Sequence, residues 1–214
     1  MGETEKSMST FKRARKALVA GAVVALVLSG TNSVMAADSG AGAATDDLSR
    51  LPVAIANPDV PLEVIAALPD VVQRSDVLIA DDFQVGSLIV YPDGRPVEGQ
   101  SDELVAAAER AQCTGTVIAP ASGAWSNADR CGVAVFGHVG YYRYYGFTTG
   151  GGIAAPRVCG QGRSFTVAGS PTWTGVSCGT IAGGSVHWGN VLSNPQFRAQ
   201  NLSVGWPATV SWSS

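Results

Sequence analysis

Two histidines, a run of tyrosines and a few arginines are the residues of this 214-residue chain whose types suit catalysis or recognition. A pair of histidines can act as acid and base in phosphodiester cleavage while an arginine stabilises the phosphate. His138 and His187 would be that pair, with Arg143, Arg157 or Arg163 as the clamp. No spacing rule brings the two histidines together. A structural role for each, at a strand end, is therefore the preferred reading, and the nuclease stands as the alternative.

The densest feature is Tyr141, Tyr142, Arg143, Tyr144 and Tyr145. On a strand, Tyr142 and Tyr144 share one face while Tyr141, Arg143 and Tyr145 share the other, so both faces cannot easily be core. Exposed tyrosines beside an arginine give large rigid contact area with polar tips, which suits a carbohydrate, a cell-wall polymer or a protein partner. These five residues are the expected ligand-binding group.

Several chemistries are excluded if the chain beyond residue 112 acts alone, because its single acid is Asp129. Glycoside hydrolysis needs two carboxylates, and calcium or magnesium sites need more charged oxygen. A Ser-His-Asp set can be written with Asp129, but no nucleophile motif marks its serine. The four cysteines lack a Cys-x-x-Cys pair and are too widely spaced for a zinc site. Neither a metal nor a cofactor is implied. Gly150-Gly151-Gly152 and Gly160-Gln161-Gly162-Arg163 open no helix and read as mobile loops rather than phosphate cradles. Asn201-Leu202-Ser203 matches a glycosylation acceptor, a pattern easily met by chance. Trp188, Trp206 and Trp212 read as core.

The elements that must position these residues are short runs rich in β-branched and aromatic side chains, broken by Gly and Pro every eight to twelve positions. Expected strands are 116–118, 133–136, 139–145, 164–168, 185–191, 197–204 and 208–212, which is sandwich or barrel territory. Four cysteines in an exported domain imply two disulfides. Three pairings are possible. Cys113 with Cys131 and Cys159 with Cys178 is favoured, since both spans are of similar length and content. A weak repeat agrees: Cys113, Trp125, Cys131-Gly132 and His138 are echoed by Cys159, Trp173, Cys178-Gly179 and His187. Such a repeat would suit a pseudo-symmetric sandwich with each tryptophan near a disulfide.

Charge divides the chain. Residues 37–112 carry fourteen Asp and Glu against four Arg, a net −10, whereas residues 113–214 carry one Asp against five Arg, a net +4. The halves should attract. In the acidic part, Pro61 can open a helix that Pro69 ends, residues 87–91 read as a strand, and Ser101 caps a helix over 102–110. About 60 residues are few for an independent core. Further upstream, Lys12, Arg13, Arg15 and Lys16 precede an apolar run and then Val34-Met35-Ala36, the order of a secretory signal. The run is about a dozen residues, short of the roughly 20 that span a membrane.

The expected organisation is a signal peptide (1–36), a flexible linker (37–50), an acidic pro-like segment (51–112) and a basic, aromatic-rich β domain (113–214). The fold class is an all-β C-terminal domain, a disulfide-bonded antiparallel sandwich or barrel, preceded by a small acidic α/β segment. The expected function is extracellular binding through an aromatic and arginine surface, as a secreted wall-associated, inhibitory or antagonistic protein. Trimming near Arg110 would uncover the basic domain.

Overall fold

Along the last strand Ala208, Val210 and Trp212 are buried while Thr209, Ser211 and Ser213 face out, the period-2 alternation of a sheet with one wet face. The same alternation recurs along Thr114–Ala119, Tyr142–Thr149 and Val158–Phe165. The structure is a computed structural model that describes residues 47–108, 113–150, 155–203 and 205–214. The signal-like residues 1–36, the linker up to residue 46, the proposed trimming point at Arg110, and Gly151 and Gly152 lie outside the described residues.

In chain order the elements are α1 (Pro52–Ala56), α2 (Leu62–Ala66), α3 (Asp70–Gln73), β1 (Leu78–Ile79), β2 (Leu88–Val90) and α4 (Asp102–Ala108). They continue with β3 (Thr114–Ala119), β4 (Asp129–Arg130), β5 (Val133–Phe136), β6 (Tyr142–Thr149), β7 (Val158–Phe165) and β8 (Pro171–Gly179). The last four are β9 (Ile181–His187), β10 (Val191–Ser193), β11 (Gln196–Asn201) and β12 (Ala208–Ser213). The chain is mostly β.

Two antiparallel sheets, in the orders β3-β12-β6-β9 and β4-β11-β7-β8, form a sandwich. Between them lie the rings of Tyr145, Phe147, Phe197 and Trp212, with Phe197 stacked on Trp212 at 5.6 Å and Tyr145 on Phe197 at 6.5 Å. Rings of this kind each remove on the order of 150–250 Å² from water and dominate core energetics. They fit because β7 carries glycine where they land. A Cβ on Gly160 would stand 2.8 Å from ring atoms of Phe147 and Phe197, and one on Gly162 would strike the ring of Tyr145.

The run Gly160-Gln161-Gly162-Arg163 is therefore the middle of a strand and not a mobile loop. The expected strand at 164–168 is corrected to Val158–Phe165, and its partner β8 went unforeseen. The strand expected at 139–145 begins at Tyr142, because residues 138–141 form a turn closed by the Tyr141 amide on the His138 carbonyl. Gly140 supplies its positive φ of 78°, as a type II turn requires. The strand expected at 185–191 is two strands, parted at Trp188 to Asn190.

A third sheet, β1-β10-β5-β2, is mixed: β1 runs parallel to β10 and β2 parallel to β5. Its edge strands come from the acidic part and its middle strands from beyond Cys113. One face, with Leu88, Val90, Val133 and Val135, joins the sandwich core. The opposite face, with Ile89, Ala134 and Leu192, is covered by Val53, Ile65 and Val72 of the short helices and by Leu68 between them. Being apolar on both faces explains why β2 reads as an unbroken apolar run. Pro61 and Pro69 stand at the caps of α2 and α3, where a fixed φ is tolerated. Ser101 accepts the Leu104 amide at 3.4 Å at the start of α4.

All four cysteines are paired, Cys113 with Cys131 and Cys159 with Cys178, as the spacing suggested. The two bridges are not equivalent in position: Cys159 and Cys178 are register partners on β7 and β8, whereas Cys113 precedes β3 and Cys131 precedes β5. Loops of 18 and 19 residues each contribute on the order of 3 kcal/mol in the chain-entropy account.

The glycine requirement is testable. Gly162→Ala gains a few tenths of a kcal/mol from the unfolded chain but loses about 1–3 kcal/mol by overpacking, so the clash wins and urea unfolding shifts to lower midpoint. Gly175→Ala, on the same sheet with open space at its Cβ position, changes stability by less than about 1 kcal/mol.

Candidate ligand-binding site

Strand β6 fixes the tyrosine run. Burial alternates along it: Tyr142 and Tyr144 are 59% and 57% exposed, while Arg143 and Tyr145 point inward at 9% and 0%. The start of the strand is pinned by the amides of Trp188 and Gly189, both donating to the Tyr141 carbonyl at 3.0 Å. Tyr144 lies across glycines: its ring is 3.2 Å from a Cβ position on Gly146, and a side chain on Gly183 would strike its hydroxyl. Tyr142 meets His187 edge-on at 5.5 Å.

Tyr141, Tyr142, Arg143 and Tyr144 share one cavity of about 560 Å³. Its other walls are Leu88 and Val90, the turn Pro92-Asp93-Gly94, and Cys113, Val133 and Ser214. Tyr145 is not part of it. Its ring belongs to the core, its hydroxyl donates to the Arg163 carbonyl at 3.2 Å, and burial pushes its pKa upward. The sequence thus marked four residues of the cavity and one of the core. It missed the wall supplied by residues 88–94, which only the third sheet brings across.

Arg143 is the unusual member. Its Nη1 donates to the Tyr141 hydroxyl at 3.3 Å, and its Nε and Nη2 donate to the Ser214 hydroxyl at 3.4 and 3.3 Å. Among the described residues no carboxylate pairs with it. The lining acid Asp93 is already engaged: Arg95 donates to it through Nε at 2.7 Å and through its amide at 3.0 Å. Those bonds hold the Asp93 carboxyl below its usual range.

The other sequence candidates lie elsewhere. His138 is exposed, its ring 5.5 Å from that of Tyr141 and its Nδ1 3.0 Å from the Val139 carbonyl. His187 Nδ1 is 2.7 Å from the Phe165 carbonyl. Each histidine sits against a different tyrosine, and neither lines the cavity. Asp129 is structural, accepting the Trp212 indole N–H at 2.8 Å and the Thr116 amide at 3.1 Å. Asn201 is buried, donating to the Trp206 carbonyl and accepting the Ser203 amide, so its amide is not presented at the surface for a glycan. Trp206 is 82% exposed, contrary to its expected place in the core, because it stands in the loop before β12. Among the described residues no cluster of His, Cys, Asp or Glu could hold a metal ion.

A second arginine feature covers the outer face of the β4-β11-β7-β8 sheet. Arg163 lies over Trp173 at 5.3 Å, and Arg198 lies over both Trp173 at 4.5 Å and Trp125 at 5.0 Å. Desolvation, and secondarily the Arg163 charge, lower the Arg198 pKa. Arg163 also donates to Asp82, which accepts from Gln196 at 2.6 Å and from Ser193 at 3.1 Å. Both side chains of this ion pair are largely buried. Arg157, the remaining candidate clamp, is exposed.

Compared with protein-family models, curated proteins and solved structures, the chain matches none. The site therefore has to be read from its own chemistry.

Breaking the Asp82 pair tests its role. Asp82→Ala leaves Arg163 buried and uncompensated, a loss of about 3–5 kcal/mol, to be read in urea unfolding. Asp82→Ala combined with Arg163→Met removes the stranded charge and recovers most of that loss.

Proposed function

We propose that the chain is a secreted extracellular binding protein, wall-associated, inhibitory or antagonistic in role, that recognises a carbohydrate or cell-wall polymer through the Tyr141–Tyr144 cavity. One observation carries this reading: two exposed tyrosines and the buried arginine between them in sequence line a single cavity. Rigid rings with polar tips and a fixed cation are the means by which proteins hold polar ligands at small entropic cost. Two disulfides fit an oxidising compartment, and no helix of the described residues is long and apolar enough to cross a membrane.

The acidic residues 51–112 enter this reading as a docked, pro-like segment. They supply Leu88, Val90 and the 92–94 turn to the cavity wall. Cleavage near Arg110 would open that wall only if the segment also dissociated.

The test is cosedimentation with insoluble cell-wall polysaccharide. Tyr142→Ser with Tyr144→Ser weakens retention at least tenfold, about 1.4 kcal/mol, while the melting temperature stays within about 2 °C because both rings are on the surface. Unchanged retention in the double variant would remove the cavity from the account.

A further inference from the structure

The cavity at Arg143 has a definite hydrogen-bonding character. A guanidinium has five N–H donors, and the bonds to Tyr141 and Ser214 use three of them. One N–H on each Nη remains. The two hydroxyls accept from Arg143, so each has its own proton left to donate. The side chains at this end of the cavity therefore keep unused donors, around a charge that is 9% exposed. Its neighbours Leu88, Val90 and Val133 are apolar, and a charge among apolar walls interacts more strongly with an opposite charge than one in water.

We infer that this end of the cavity is a seat for a carboxylate, and that the ligand is a carboxylated saccharide, a uronate or similar sugar acid. The inference rests on the reading of the same cavity as the binding site. Two planar oxygens match the two remaining Nη donors, as in end-on pairing of guanidinium with carboxylate. The Tyr141 and Ser214 hydroxyls can donate to the same oxygens. Tyr142 and Tyr144, which also line the cavity, are the exposed aromatic surface left for the sugar ring. Asp93, another lining residue, is paired with Arg95 and so is engaged away from Arg143.

The experiment is a titration of the purified full chain, followed by NMR shifts of the Arg143 Nε–H and neighbouring amides, with D-glucuronate, D-glucose and inorganic phosphate as separate probes. Saturable shifts with glucuronate, at least tenfold tighter than with glucose or phosphate, are expected. Tyr141→Phe, which keeps the ring and removes one donor, weakens glucuronate by several-fold; Arg143→Met weakens it by tenfold or more. Equal response to glucuronate and glucose, tighter binding of phosphate, or glucuronate binding unchanged in both variants would overturn the inference. Polymer retention that depends on Tyr142 and Tyr144 without any glucuronate response would overturn this seat alone. Glucuronate binding without polymer retention would overturn the polymer reading and leave the seat standing.

Discussion

The rest of the structure depends on the layer of rings between the two sandwich sheets and on the glycines that admit it. Tyr145 and Phe147 enter from β6, Phe197 and Trp212 from the facing and neighbouring strands, and Gly160 and Gly162 leave the space. Strand geometry then propagates the choice, because side chains alternate with period 2. If Tyr145 and Phe147 point inward, so does Arg143; if Gly160 and Gly162 point inward, Gln161 and Arg163 point out. One packing constraint thus places a guanidinium at the inner end of the cavity and another on the outer face of the opposite sheet.

The three interior or half-buried arginines meet the cost of desolvation in different ways. Arg163 has a carboxylate, Asp82, from the acidic part. Arg198 has two indole faces and the Gln161 side chain, and cation–π contacts of this kind contribute about 0.5–2 kcal/mol. Arg143 has two neutral hydroxyls at 3.3–3.4 Å. A buried charge held by neutral groups alone costs several kcal/mol that long hydrogen bonds do not recover. That imbalance is what supports the proposed carboxylate seat. The opposite charges of the two halves meet at Asp82, while the attachment of residues 51–108 rests more broadly on shared sheet and core.

What could be read in the sequence follows from the range of the interactions involved. Val133–Phe136 and the final strand were legible because local alternation and β-branched residues specify them. The disulfide pairing was legible because close cysteines on adjoining segments meet without a long loop. β7 was not, since the glycines in its sequence mark a close approach by rings from other strands, and that approach is invisible locally. The meeting of Trp125 and Trp173 over Arg198 likewise needs three separate segments. The face alternation of the tyrosine run was readable, but the wall from Leu88 to Gly94 depends on parallel pairing of β2 with β5, which carries no short-range signal. The exposure of Trp206 shows the reverse error, a large apolar side chain assigned inward on type alone.

The central claim is that Arg143 is held inward for a ligand and not for the stability of the fold. Urea unfolding of the ligand-free protein and of Arg143→Met tests it most directly, since methionine fills much of the same space without the charge. The account predicts that the variant is at least as stable as the parent, with the same dependence on denaturant. A loss of about 2 kcal/mol or more would contradict it, showing that the guanidinium holds the end of the sandwich together as a structural group.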